Sequence, residues 1–216
     1  MTHNIINVGV DLDGVCCNFT KKFSQFCNEM YGAKCYIVED NSSLKHWHWH
    51  HWYPIKEIEV ERVWEEIRKT RDFWMSLELL NRGQWEYFID KIGKSNSINV
   101  YFITTREETI GMTATKQSAL WLEMNSWKQP FVIKTNTKEK FIEDLNIEYF
   151  IDDKAENLIN IKTHNPNCRI YAQDVPHNKS LLDQSKLEYK RVSGLRHFAD
   201  DILAELYDRD YKNTWK

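Results

Sequence analysis

Where the apolar run Val8-Gly9-Val10 ends, two carboxylates follow one residue apart, Asp11 and Asp13, and then Gly14. Residues i and i+2 of a strand point to the same side, so Asp11 and Asp13 leave it together. Gly14 allows a sharp turn beside them. Two carboxylates in one small volume repel unless a cation lies between them or they differ in protonation. Taken alone, this DxD is as readily a polar turn. Two later runs make it more specific. Residues 99–106 are apolar and end in Thr104, Thr105 and Arg106; residues 147–154 end in Asp152, Asp153 and Lys154. In an open α/β sheet, ligands bind at the carboxyl ends of the strands. Three strands ending in Asp or Thr would converge there on one cation-and-phosphate site.

The elements that must position these groups follow from the periodicity. Phe19, Phe23, Phe26 and Met30 make a helical stripe over 18–31, which Gly32 ends. Residues 57–70 read as a charged helix with Ile58, Val63, Trp64 and Ile67 on its apolar side. Further helices are expected over 84–92, 113–125 and 198–207, and strands over 131–133 and 168–172, the latter as the last strand. Thr137 is placed to cap a helix with Lys138 in its first turn. A lysine there opposes the helix dipole, a local conflict expected where function overrides propensity. Lys134 and Lys140 are its weaker competitors.

The ordered set resembles the haloacid dehalogenase-like phosphohydrolases, and within them the 5′(3′)-deoxyribonucleotidases. The likeness rests on DxDGVxxxF at 11–19, FITT at 102–105, VIKTNTK at 132–138 and IDDK at 151–154. His177-Asn178 and the RHFADD stretch at 196–201 extend it over nearly the whole chain. The resemblance implies an α/β fold: a three-layer, Rossmann-like parallel sheet flanked by helices, with a small helical cap inserted after the first strand. It assigns 1–35 and 93–216 to the core and 36–92 to the cap. It implies Asp11 as nucleophile, Asp13 as general acid and base, and Thr104 or Thr105 with Lys138 as holders of the phosphoryl oxygens. The FITT alignment favours Thr105 and the ITxR pattern favours Thr104. Mg²⁺ is expected on Asp11, the Asp13 carbonyl and the pair Asp152 and Asp153, with Asp153 the more direct ligand. Phe19, Trp47, Trp49, Trp64 and Arg106 are the implied substrate contacts. The implied small substrate is a (deoxy)nucleoside monophosphate; another small phosphate ester, a sugar phosphate or modified nucleotide, is the runner-up, and a nucleotide-binding protein without turnover is the third reading.

Composition sets bounds on the rest. A 216-residue chain of net charge −3 and pI near 6.3 carries no basic footprint for a nucleic-acid polymer. Five cysteines without a CxxC pair fit a reducing, cytoplasmic setting better than a disulfide framework. Residues 1–10 lack a signal-peptide pattern, and no run of about 18 apolar residues suggests a membrane span. A homodimer is left open. Nine tryptophans are many for this length, and several crowd into His46-Trp47-His48-Trp49-His50-His51-Trp52. HxHxHH is not a recognisable zinc spacing, so the aromatic planes are read as a base-stacking surface.

Overall fold

The structure, a computed structural model of the chain, describes residues 5–40, 42 and 44–214, with the side chains of 209–214 left aside. Six parallel strands form one sheet in the order β3-β2-β1-β4-β5-β6. They are β1 (Ile6–Val10), β2 (Ile98–Thr104), β3 (Phe131–Lys134), β4 (Tyr149–Asp152), β5 (Arg169–Gln173) and β6 (Lys190–Val192). The central strands are apolar almost throughout because both faces are covered. Val8, Val10, Phe102 and Ile151 belong to one core cluster, and Ile103, Phe150, Ile170 and Ala172 to a second. Neighbouring strand residues such as Phe150 and Ile151 thus feed opposite layers.

Among the described residues eight α-helices surround the sheet: α1 (Phe19–Tyr31), α2 (Glu57–Lys69), α3 (Arg82–Phe88), α4 (Ala114–Met124), α5 (Lys138–Asp144), α6 (Ala155–His164), α7 (Pro176–Ser185) and α8 (Leu195–Thr214). The first cluster takes its helical side chains from α1, α2, α3, α4 and α8, and the second from α5, α6 and α7. The three-layer α/β arrangement expected from the sequence is therefore present.

Strand order fixes where chemistry can occur. From β1 the chain moves outward through β2 and β3, then returns to lay β4 on the other side of β1. The loops leaving β1 and β4 diverge at this switch point and open a crevice. Val10 pairs with Ile151, and the Asp11 N–H donates to the Ile151 carbonyl at 3.0 Å. Asp11 and Asp152 are thereby brought side by side.

The 36–92 segment divides in two. A 3-10 turn at Trp49–His51 and helix α2 lie against α1, with Trp49 and Trp64 packed on Phe23. Helix α3 instead packs with α8 beneath the sheet, where Trp85 and Phe88 meet Phe102, Trp127 and Phe198.

Four local expectations are corrected. The strand at Arg169–Gln173 is not the last; β6 follows it, too short and too charged to show an apolar run. The terminal helix covers Leu195–Thr214 rather than 198–207, since its polar end adds helix without an apolar stripe. The helix expected over 84–92 is α3 followed by a wider π-turn at Ile89–Gly93. Ile58 is 59% exposed, while Val63 and Ile67 carry the buried side of α2.

Gly9 is required by close approach: a Cβ there would lie 2.4 Å from Phe150 Cδ2. Gly9→Ala should lower the unfolding free energy by about 1–3 kcal/mol through overpacking, and Phe150→Leu in the same chain should recover part of it. Denaturant titration checks this, and a Gly9→Ala protein of wild-type stability would refute it.

Candidate active site

The loop after β1 is wound tightly around one carbonyl. The Leu12 oxygen accepts from the N–H groups of Val15, Cys16 and Cys17, and Gly14 takes φ 82°, a left-handed conformation that costs a side-chain-bearing residue strain. This turn sends Asp11 and Asp13 to different partners. The Asp13 carboxylate is gripped at both oxygens by Arg106, Nε to Oδ2 and Nη2 to Oδ1, each at 2.9 Å. Cys17 Sγ donates to the same Oδ1 at 3.1 Å, and Thr104 Oγ1 lies 3.5 Å from Oδ2. The buried guanidinium is held in turn by Ser118 Oγ at 2.9 Å and stacks over Trp74 at 4.8 Å. Burial is the largest single effect and would make Arg106 easier to deprotonate, but the Asp13 charge and hydrogen bonds, with Cys17 and Asp11, together outweigh it and keep Arg106 charged.

Asp11 belongs to a second cluster. Lys138 opens α5, is 3% exposed, and sends its ammonium to Asp11 Oδ1 at 2.5 Å and to Asp152 Oδ2 at 2.7 Å. Burial pulls the Lys138 pKa down; Asp11 and Asp152 pull it up further, so the ammonium stays charged. Asp152 has little acceptor capacity left. Its Oδ2 also accepts from Asn157 Nδ2 at 2.9 Å, and its Oδ1 from the Lys154 N–H at 2.8 Å. Asp11, Asp152 and Asp153 each offer an oxygen within 4.8 Å of the others, and no other such group of three occurs among the described residues. Burial, opposed by Lys138 and aided by Asp152 and Asp13, raises Asp11 to about 7. Burial and the charges of Asp152 and Asp11 push Asp153 well above the usual carboxylate range. One ammonium cannot balance three carboxylates once all are ionised, and oxygen donors suit a hard divalent cation that could. The cluster therefore fits Mg²⁺.

These groups form one end of a cleft whose wall is aromatic. Thr105, Arg106, Lys138 and the acids line the polar end with Phe19, Trp47, Trp64 and Trp74. Trp49, His48 and His50 extend the other end, together with Glu57 and Glu61. Phe19 stacks on Trp64 at 5.4 Å and 22°, and Trp49 stacks on Phe23 at 4.3 Å. Trp47, 41% exposed, rests against the His177 ring at 5.2 Å and beneath the Lys154 ammonium at 5.1 Å.

The twelve residues given a site role from the sequence meet at or directly behind one crevice, and Lys134 and Lys140 do not line it. Thr105 opens onto it, whereas Thr104 is buried with its hydroxyl toward Asp13. Thr137 stands at the cap position of α5, yet its hydroxyl pairs with that of Thr135 rather than capping. The four histidines of the 46–51 stretch crowd at ring separations of 4.2–5.8 Å, but their nitrogens do not converge on a common point. Cys16 and Cys17 are enclosed thiols, raised well above their ordinary pKa chiefly by burial. Sequence reading missed Ser118 and Asn157, and it gave Lys154, His177 and Asn178 no role. The last three carried a signal, Lys154 as the residue after the acidic pair and His177-Asn178 within the family resemblance; Ser118 and Asn157 carried none.

A parallel sheet of this order with an acid–lysine cluster at its switch point defines a haloacid dehalogenase-like phosphohydrolase. Solved structures share the fold. A conserved haloacid dehalogenase-like protein of unknown function from Agrobacterium tumefaciens str. C58 matches with TM-score 0.58 at 8% identity, covering 93% of this chain and 99% of that one. A HAD family hydrolase from Deinococcus radiodurans R1, crystallised with phosphate and sodium, matches with TM-score 0.56 at 9% identity over 94% and 97%. A putative beta-phosphoglucomutase from Thermotoga maritima gives 0.53 at 16% over 93% and 99%. No curated protein sequence matches significantly. The sequence profile of the family "5′ nucleotidase, deoxy (Pyrimidine), cytosolic type C protein" matches residues 4–191. The chain belongs to this family and is a phosphoric monoester hydrolase of the 5′-nucleotidase type. Among the described residues no helix is long and apolar enough to cross a membrane.

The raised Asp11 carboxyl has a consequence for stability. Its proton is held more tightly in the folded chain than at the ordinary value of 3.8, so the stability it contributes is full below about 3.8 and lost as pH rises through about 7. Asp11→Asn abolishes this dependence. In chelator, denaturant titrations should show the variant gaining on wild type by on the order of 1 kcal/mol per pH unit between those limits. A difference flat with pH would refute the assignment.

Proposed function

We propose that the chain is a Mg²⁺-dependent phosphatase of deoxyribonucleoside monophosphates working through an aspartyl-phosphate on Asp11. The observation that carries this is the continuity of the cleft. It joins the Asp11–Lys138 pair to a wall of Phe19, Trp64 and Trp47, so a phosphate and an aromatic base can be held together. Asp11, Asp153 and the Asp13 carbonyl would hold the cation, with Asp152 braced behind them. Mg²⁺ bound there supplies the positive charge that lets a phosphate dianion approach several carboxylates.

An Asp11 oxygen attacks phosphorus, the bond to the leaving 5′ oxygen breaks, and Asp13 gives that oxygen a proton. A water then attacks the phosphoryl group on Asp11, Asp13 takes its proton, and phosphate leaves. Lys138 and Thr105 hold the phosphoryl oxygens and balance their growing charge. Both Asp13 oxygens accept from Arg106, so this pair must part before Asp13 carries a proton. The aromatic wall holds the base by stacking, worth about 1–3 kcal/mol per base by analogy with single strands.

One observation favours a second reading. His48, His50, Glu57 and Glu61 make the far end of the cleft more polar than a stacking slot requires, which suits a modified nucleotide or a sugar phosphate. A panel of ribo- and deoxyribonucleoside monophosphates and sugar phosphates separates the two. Phosphate release from deoxynucleotides is expected with Mg²⁺ and not with EDTA, and Asp11→Asn should lower it by on the order of 10⁴-fold or more. Release from sugar phosphates alone would move the assignment to the second reading. A folded protein that binds nucleotide and releases nothing would end both.

A further inference from the structure

Asp153 lies just beyond β4, which ends at Asp152, so the strand itself does not aim its carboxylate. Two consecutive side chains in the first turn of α7 meet its main-chain oxygen instead. His177 Nε2 lies 3.1 Å from the Asp153 carbonyl and Asn178 Nδ2 donates to it at 2.8 Å. The same His177 nitrogen is 3.7 Å from Asp153 Oδ2. Asn178 is fully buried and ties neighbouring strands together: its amide donates to the Gln173 carbonyl at 2.9 Å, and its oxygen accepts from Arg191 Nη1 at 2.8 Å. The ends of β4, β5 and β6 are thus joined through one side chain.

The role of the imidazole follows from its surroundings. A carbonyl can only accept, so the proton sits on Nε2, and Nδ1 is enclosed without a partner. His177 thus acts through Nε2 as a directional donor to the Asp153 carbonyl. Trp47 covers it from the cap at 5.2 Å.

We propose that His177 and Asn178 are positioning residues for the cation ligand Asp153. Together they hold the Asp153 carbonyl, and so point its carboxylate at Asp11 and Asp152 before a cation arrives. This rests on the reading of the acid cluster as a divalent-cation site. Ligand-orienting partners of this kind typically change metal affinity by about 10–100-fold when removed.

The test measures Mn²⁺ binding by electron paramagnetic resonance and Mg²⁺ binding by calorimetry on the full chain, beside the thermal midpoint. Wild type and Asp11→Asn test the cation site itself. His177→Gln keeps a donor at the reach of Nε2; His177→Phe keeps a ring and removes the donor. The clamp requires His177→Phe to bind at least about tenfold more weakly, with His177→Gln within about threefold of wild type. Both should keep a near-wild-type midpoint. Unchanged affinity in His177→Phe, or a Gln variant as weak as Phe, overturns the clamp alone. A wild-type protein that takes up neither cation overturns the cation site and the clamp with it. Should His177→Phe not fold, Asn178→Ser is judged by the same tenfold criterion: weaker binding supports the clamp, and wild-type affinity overturns it.

Discussion

The buried ammonium of Lys138 is the constraint on which the rest of the site depends. Carboxylates so close together in a low-dielectric interior would neutralise themselves by taking up protons. One fixed positive charge between Asp11 and Asp152 allows part of the set to remain ionised. It also fixes the geometry, because Lys138 is the first residue of α5 and its ammonium lies over the Phe150 ring at 5.5 Å. Phe150 in turn needs Gly9 beneath it. A backbone position in β1, an aromatic in β4 and the helix after β3 are thereby coupled to the charge state of Asp11.

The second acid is balanced separately. Asp13 has its own cation, Arg106, with Ser118, Cys17 and Trp74 as supports. Two acids separated by a single residue therefore experience different fields, the condition under which one can attack while the other handles protons. The split originates in the loop wound around the Leu12 carbonyl. An extended chain would point both side chains the same way, and the winding of the chain that begins at Leu12 ends that equivalence.

How much of this could be read in advance depended on range. Strands buried on both faces show as apolar runs, and the acids sit at their ends, so the sheet and the acid cluster were legible from residues 8–13, 99–106 and 147–153. β6 was not, because three residues at an edge leave no pattern. The supports were invisible for another reason. Ser118, Asn157 and Asn178 are ordinary polar residues inside helices, and only tertiary packing turns them toward an acid or its cation. Arg106 shows the difference most clearly. Its place after the two threonines suggested a hand for substrate, and the fold commits Nε and Nη2 to Asp13 and Nη1 to Ser118. The same limit applied to α3, whose pattern gave no sign that it would join the core beside α8.

The stack of Phe19 on Trp64 bears on how the cleft discriminates. With centroids 5.4 Å apart and planes inclined by 22°, the two rings already satisfy one another, and no third plane fits between them. A visiting ring must rest on an outer face or prise the pair apart, exchanging one contact for another of similar strength. Stacking alone is then a poor judge of ring identity. Discrimination among ligands falls to the groups around the rim, His48, His50, Glu57 and Glu61, which read edges rather than faces.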